Sequence, residues 1–227
     1  RYRSSLTDER SAVVNRLQKT LEGGNIKLSS VASDVLGKSG REILSELVAG
    51  TSSAAELANL AKGTLRNKMP ELTRALAGRF QAHQRFMLAQ QLAHIDFLDE
   101  QLAKLDKEVA EREAPFEETI TRLDTIPGVG RRAAENLLAE IGTDMSRFPT
   151  AKHLSSWARM CPGTNESAGK RKTASTGRGD PWLRRTLVQM AHAAARTKTY
   201  LGAQFRRLAR KHGPKKAAVA VGHSQLR

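Results

Sequence analysis

The sequence predicts an all-α protein: a helical, coiled-coil-like region over 1–118, then a small helical domain over 119–227 with a helix-hairpin-helix and a long basic loop. Three observations carry that expectation. Hydrophobic residues make up 39% of the 227 but aromatics only 4%, so the side chains that fill a β-sandwich are scarce while Ala and Leu are plentiful. Apolar residues recur at steps of three and four, the period of one helix face. Glycines and prolines, not alternating strands, punctuate the apolar stretches.

Residues 1–22 read as an amphipathic helix with Leu6, Val13, Leu17 and Leu21 near one face, ended by Gly23-Gly24-Asn25. Short helical pieces follow over 26–79, with one apolar patch at Ile43, Leu44, Leu47 and Val48 and another at Leu57, Leu60, Ala61 and Leu65. The clearest long helix is 80–113. Leu88, Leu92, Ile95, Leu98, Leu102, Leu105 and Val109 form one seam, and Asp96, Asp99, Glu100, Lys104, Lys107 and Glu108 occupy the other faces. That seam suits either a hairpin within the chain or a coiled coil between subunits. Pro115 closes the segment, and a shift in charge places the domain boundary beside it.

In the second half, Leu137, Leu138 and Ile141 follow a glycine turn, and Leu154, Trp157 and Ala158 lie on a short helix stopped by Pro162-Gly163. Asp180-Pro181 is a strong helix start, with Asp as N-cap and Pro at the first helical position. Leu183, Leu187, Met190 and Ala194 continue at helical spacing. A last helix turns Leu201, Phe205 and Leu208 inward and Arg206, Arg207, Arg210 and Lys211 outward, ending at Gly213-Pro214.

Charge separates the halves. Residues 1–120 hold 17 Lys and Arg against 17 Asp and Glu; residues 121–227 hold 21 against 6 and so carry the whole net charge of +15. A surplus confined to one half points to a polyanion-binding surface there, with nucleic acid as the first expectation and a merely solvated basic face as the plain alternative. No apolar run approaches the ~20 residues of a membrane span, and no secretory signal is evident. The lone Cys161 has no internal disulfide partner. His83, His94, His153, His192, His212 and His223 lack ligand spacing, so no metal site is expected in this chain.

Two segments carry candidate chemistry. The first is LDTIPGVGRRAAENLLAEIG, 123–142, in which Pro127-Gly128-Val129-Gly130 joins two helices. Glycines at such a turn leave N–H groups uncovered and let a phosphate approach the second helix, so Gly128, Val129, Gly130, Arg131 and Arg132 are candidate backbone-phosphate contacts. A glycine turn between packed helices is the alternative. A base-excision glycosylase shares such a hairpin but needs a catalytic Asp about twenty residues on, and 147–153 reads RFPTAKH.

The second segment is CPGTNESAGKRKTASTGRGD, 161–180, which lacks helical periodicity and has the length of a functional or disordered loop. Lys170, Arg171, Lys172 and Arg178, with Arg184 and Arg185 just beyond, are candidate phosphate clamps. Ser167 lies three residues before the cationic run, where a hydroxyl surrounded by cations can attack a phosphodiester. No sequence-adjacent base accompanies it, and taken alone a loop serine is more often a turn residue.

The stretch from LDTIPGVG through NESAGKRK to GRGDPWLRRTLVQMAHAAARTKTY resembles the C-terminal transposase domain of the "one-ten" insertion-sequence family of DEDD transposases. RYRSSLTDERSAVVNRLQK and SGREIL are similar to its central helical region. IPGVG, the NESAGK block and PWLRR are specific together. The resemblance implies a prokaryotic, cytoplasmic, nucleoid-associated DNA recombinase, working as a dimer or tetramer and in some members guided by a structured RNA. It implies Ser167 as the nucleophile, and an N-terminal ribonuclease-H-like domain whose four acidic residues bind Mg2+. That domain is expected to lie before residue 1, so these residues alone are expected to lack activity.

Two positions depart from the pattern. Arg159 stands where relatives commonly have glycine and is expected to strain the approach to the loop. Asp180 stands where they commonly have Asn and is expected to bring negative charge near DNA. The leading reading is the DNA-binding, serine-bearing part of a transposase. The alternatives are a non-catalytic nucleic-acid-binding helical module and an oligomerising scaffold, against which the basic half argues.

Overall fold

The computed structural model describes residues 1–163, 166–171 and 175–227, residue 171 by its backbone alone. The fold is all-α, apart from one two-residue antiparallel ladder among the described residues. The chain divides into two compact units, Arg1–Val109 and Ala110–Arg227. No described helix is long and apolar enough to cross a membrane.

The first unit is built on helices α1 (Tyr2–Gly23) and α5 (Ala82–Glu113), with α2 (Lys38–Ala49), α3 (Ala54–Asn59) and α4 (Met69–Leu76) between them in sequence. Leu6, Val13, Leu17 and Leu21 of α1 share one core with Leu88, Leu92, Ile95 and Leu98 of α5, as their spacing predicts. Bonds between the two helices run in antiparallel order: Arg3 to Asp106, Arg10 to Asp99, and Gln91 Nε2 donating to Thr20 Oγ1 at 3.1 Å. Arg41 of α2 reaches Asp96. Asp96 and Asp99, on the other faces of this helix, are partnered within the chain. Over Leu88–Leu98 the apolar seam closes an intramolecular core, and Leu102 and Leu105 continue it at the margin. Burying each such leucine contributes about 1.5–3 kcal/mol, which is what holds so long a helix against the shorter ones.

Within the second unit, α6 (Glu117–Asp124) and α7 (Arg131–Ile141) form a hairpin, followed by α8 (Ala151–Trp157) and the ladder of β1 (Glu166–Ser167) with β2 (Lys170–Arg171). Three helices end the chain: α9 (Pro181–Ala195), α10 (Tyr200–His212) and α11 (Pro214–Gln225). Asp180 caps α9 as the sequence predicts, its carboxylate accepting from the backbone N–H of Trp182 at 2.7 Å and Leu183 at 3.1 Å, with Pro181 at the first position. The extra negative charge expected to face DNA is thus occupied by the end of a helix, where the unpaired N–H groups favour an anion.

Helix α11 is not foreseen in the sequence. Its inward face is Ala217, Ala218, Val221 and Gly222, all buried. A Cβ at Gly222 would meet Met160 Cε at 2.9 Å. Small side chains bring this helix close to its neighbours while giving almost no apolar periodicity to read. Its Val219, with Leu226 just past its end, completes the core around Leu183, Leu187 and Met190, and its Ala217, Ala218 and Val221 complete the one around Ala191 and Phe205.

Candidate nucleic-acid interface and serine ribbon

The turn between α6 and α7 is compact. Val129 N–H donates to Ile126 O at 2.9 Å, Val129 is buried, and Gln225 Nε2 donates to Pro127 O at 3.1 Å. Gly128 has φ +89, and a Cβ there would lie 2.4 Å from Met190 O and 2.5 Å from Ala194 N. This glycine is required because the turn packs directly on α9. Gly130, the N-cap of α7, is the open one: nothing lies within 4 Å of a Cβ built on it.

Arg131 and Arg132 are engaged by carboxylates. Arg131 donates from both terminal nitrogens to Glu117, at 2.6 and 2.7 Å, and from Nε to Glu135 at 3.2 Å. Arg132 Nη1 lies 2.7 Å from the second Glu135 oxygen. Glu135 is only 7% exposed. The Arg131 guanidinium holds Glu117 below the usual carboxylate range, chiefly through these hydrogen bonds. Glu113 is pushed upward, first by burial and then by Glu135. A phosphate reaching these arginines must displace carboxylates already in place. Glu135 is readable from the sequence, four residues after Arg131 and three after Arg132. Glu117, fourteen residues away, has no local signal.

The 161–180 segment is a ribbon at its described positions. Pro162 bridges Thr176, and Gly163 N–H donates to Ser175 O at 3.0 Å. Further out, Glu166 pairs with Arg171 and Ser167 with Lys170. The two linking residues, Ala168 (φ 50) and Gly169 (φ 73), are both left-handed, the signature of a type I′ hairpin turn. That turn matches strand twist, so a stretch without helical period forms a hairpin instead of an irregular loop. Ser167 is exposed and flanks the turn, and its hydroxyl has no hydrogen-bond partner among the described residues. Lys170, also exposed, is its cross-strand neighbour on the same face. Arg178 and, on α9, Arg185 are exposed. Lys172 lies outside the described residues, and Arg171 is placed by its backbone only.

Arg184, a candidate phosphate clamp, is hydrogen-bonded within the unit. Its Nη1 donates to Thr176 Oγ1 at 2.9 Å, and its Nη2 donates to Arg159 O at 2.9 Å and Gly177 O at 2.6 Å. One guanidinium thus ties both ends of the ribbon segment to α9. Arg159 itself has φ 53 and crowds Gly179, where a Cβ would sit 2.8 Å from Arg159 Cβ. The left-handed backbone is a physical reason for a glycine at this position, and the arginine bears the strain.

Among the described residues no three His, Cys, Asp or Glu side chains gather as a metal site. None of the curated proteins compared with the chain matches it. Residues 120–206, from within α6 through the turn, ribbon and α9 into α10, match the family model described as Transposase IS116/IS110/IS902 family, and that similarity supports a transposase-related function.

Proposed function

We propose that the chain is the DNA-binding, nucleophile-bearing part of an insertion-sequence transposase, with Ser167 as the nucleophile. The observation that carries the reading is an exposed serine beside the turn of a two-stranded ribbon, opposite Lys170, inside the segment that matches a transposase family. In the step proposed, Ser167 Oγ bonds to a backbone phosphorus as the bond from that phosphorus to a deoxyribose oxygen breaks. The hydroxyl proton passes to a base supplied from outside the ribbon, and the released oxygen takes up a proton. Lys170 stabilises the charge that develops on the phosphoryl oxygens. A divalent-metal half of the site, Mg2+ on an acidic set outside these residues, belongs to the same reading. So do a guide RNA and a homo-oligomer assembled through the outer part of the α5 seam.

A second reading, a non-catalytic nucleic-acid-binding module, is favoured by one observation: no base stands within hydrogen-bond reach of the Ser167 hydroxyl among the described residues. The two are separated by Ser167→Ala in a protein carrying the acidic domain. Loss of the covalent DNA adduct on denaturing gels, with DNA affinity unchanged, supports the nucleophile. An adduct that persists in the variant, or that maps to another side chain, removes it.

A further inference from the structure

Helices α9, α10 and α11 lie in a stretch, 181–227, that holds eleven Lys and Arg and no Asp or Glu. At the corner where α10 passes into α11, Arg207, Arg210, Lys211, Lys215 and Lys216 are all exposed. None of the five has an ion pair or side-chain hydrogen bond among the described residues. Arg206, beside them, differs: its guanidinium donates to Ala195 O at 2.9 Å and Thr197 O at 3.0 Å, closing the end of α9. Arg207, Arg210 and Lys211 sit at i, i+3 and i+4, a spacing at which like charges repel and weaken the free helix. Lys215 and Lys216 open α11, whose first turn carries no acidic residue.

We propose that this corner is a binding surface for the phosphodiester backbone of a nucleic-acid duplex. The inference rests on the nucleic-acid-binding part of the function proposed above and is independent of the role of Ser167. The chemistry selects the ligand. Five unneutralised cations within ten residues call for a polyanion whose arrival relieves their mutual repulsion. From 206 to the end of the chain there is no Phe, Tyr or Trp, and the exposed ring at the corner is the single small imidazole of His212, so the surface offers no row of rings on which successive unpaired bases stack, and a single strand gains little there. The corner also presents no bulky exposed apolar residue, which a membrane-surface site requires. What remains is sequence-independent contact with regularly spaced phosphates, to which Arg forks and Lys ammonium groups are both suited.

The test is the salt dependence of binding by the full 227-residue chain to a duplex DNA, a duplex RNA and a single strand of equal phosphate number. Arg207→Gln/Arg210→Gln/Lys215→Gln is expected to lower the slope of log affinity against log salt on duplex DNA by about 0.9 for each phosphate no longer neutralised, roughly two to three in all. Arg16→Gln/Lys19→Gln/Lys27→Gln, neutralising exposed cations of the first unit, should leave the slope unchanged. Arg207→Lys/Arg210→Lys, which keeps the charge, should retain the wild-type slope. The two duplex arms show whether DNA or RNA is the stronger source of the same backbone chemistry. A wild-type slope in the triple glutamine variant, in a chain that still binds duplex, overturns this surface and leaves the proposed function standing. A loss confined to the single strand overturns the duplex assignment. No binding in any arm at low salt overturns both.

Discussion

The α6–α7 turn and the α10–α11 corner belong to the same unit and look alike in the sequence, each a pair of helices joined by glycine and proline with arginines alongside. Their electrostatics are opposite. At the turn, Arg131 and Arg132 are met by Glu117 and Glu135, and Glu113 nearby is pushed upward by burial first and by Glu135 second. At the corner, five cations stand without a carboxylate among the described residues. Arg184 is a third case, its donors taken by a hydroxyl and two backbone carbonyls. A formal charge therefore says little about the charge a ligand meets. Availability depends on which acceptors the fold has already placed beside each guanidinium.

Three experiments sharpen this contrast, the largest effect first. Arg184→Ala removes three donors that tie the ribbon segment to α9, so hydrogen exchange and limited proteolysis over 159–177 should rise at least tenfold while the rest of the unit keeps its protection. Each such bond is worth about 1 kcal/mol net, and Arg184→Lys, with one point charge instead of a planar fork, should recover only part of the protection. Protection unchanged in the alanine variant would mean the ribbon is held by something else.

Next in size, Glu117→Gln/Glu135→Gln should release both turn arginines and raise duplex DNA affinity several-fold at low salt, with a steeper salt slope. The gain should shrink as salt is added. Loss of the nearly buried Glu135 carboxylate is expected to destabilise the unit by about 1–3 kcal/mol. Affinity is therefore compared well below the unfolding transition. If affinity does not rise, the turn is a structural junction and the contrast with the corner becomes absolute.

The smallest effect is expected from Arg159→Gly. A left-handed non-glycine residue costs about 1–2 kcal/mol, partly offset by the larger unfolded-state entropy of glycine. Denaturant titration should show a gain of about 1 kcal/mol, and a destabilised variant would show that the Arg159 side chain contributes more by packing on Gly177 and Gly179 than its backbone loses.

Much of the architecture is legible in the residues. Leu6, Val13, Leu17 and Leu21 on α1 and Leu88–Leu98 on α5 declare their buried faces by spacing alone, because leucine burial is strong enough to dominate local preference. Asp180-Pro181 declares a helix start by cap chemistry. Ribbon and α11 are not legible in this way. Ala168 adopts a left-handed conformation that its type does not favour, and α11 is held by alanine and glycine contacts that leave no hydrophobic stripe. Of the candidate site, the matched segment and the prominence of Ser167 are readable, whereas the occupation of Arg131, Arg132 and Arg184 is not.

Sequence by itself determined what depends on period, local chemistry and the count of charges: a helical chain, its long helices, and a basic half that holds the entire surplus. Tertiary structure alone decided which cations are already satisfied, since Glu117 reaches Arg131 across fourteen residues, and Arg184 reaches Arg159 O across twenty-five. Helical spacing is a property of neighbours along the chain. An ion pair is a property of neighbours in space, and only folding assigns those.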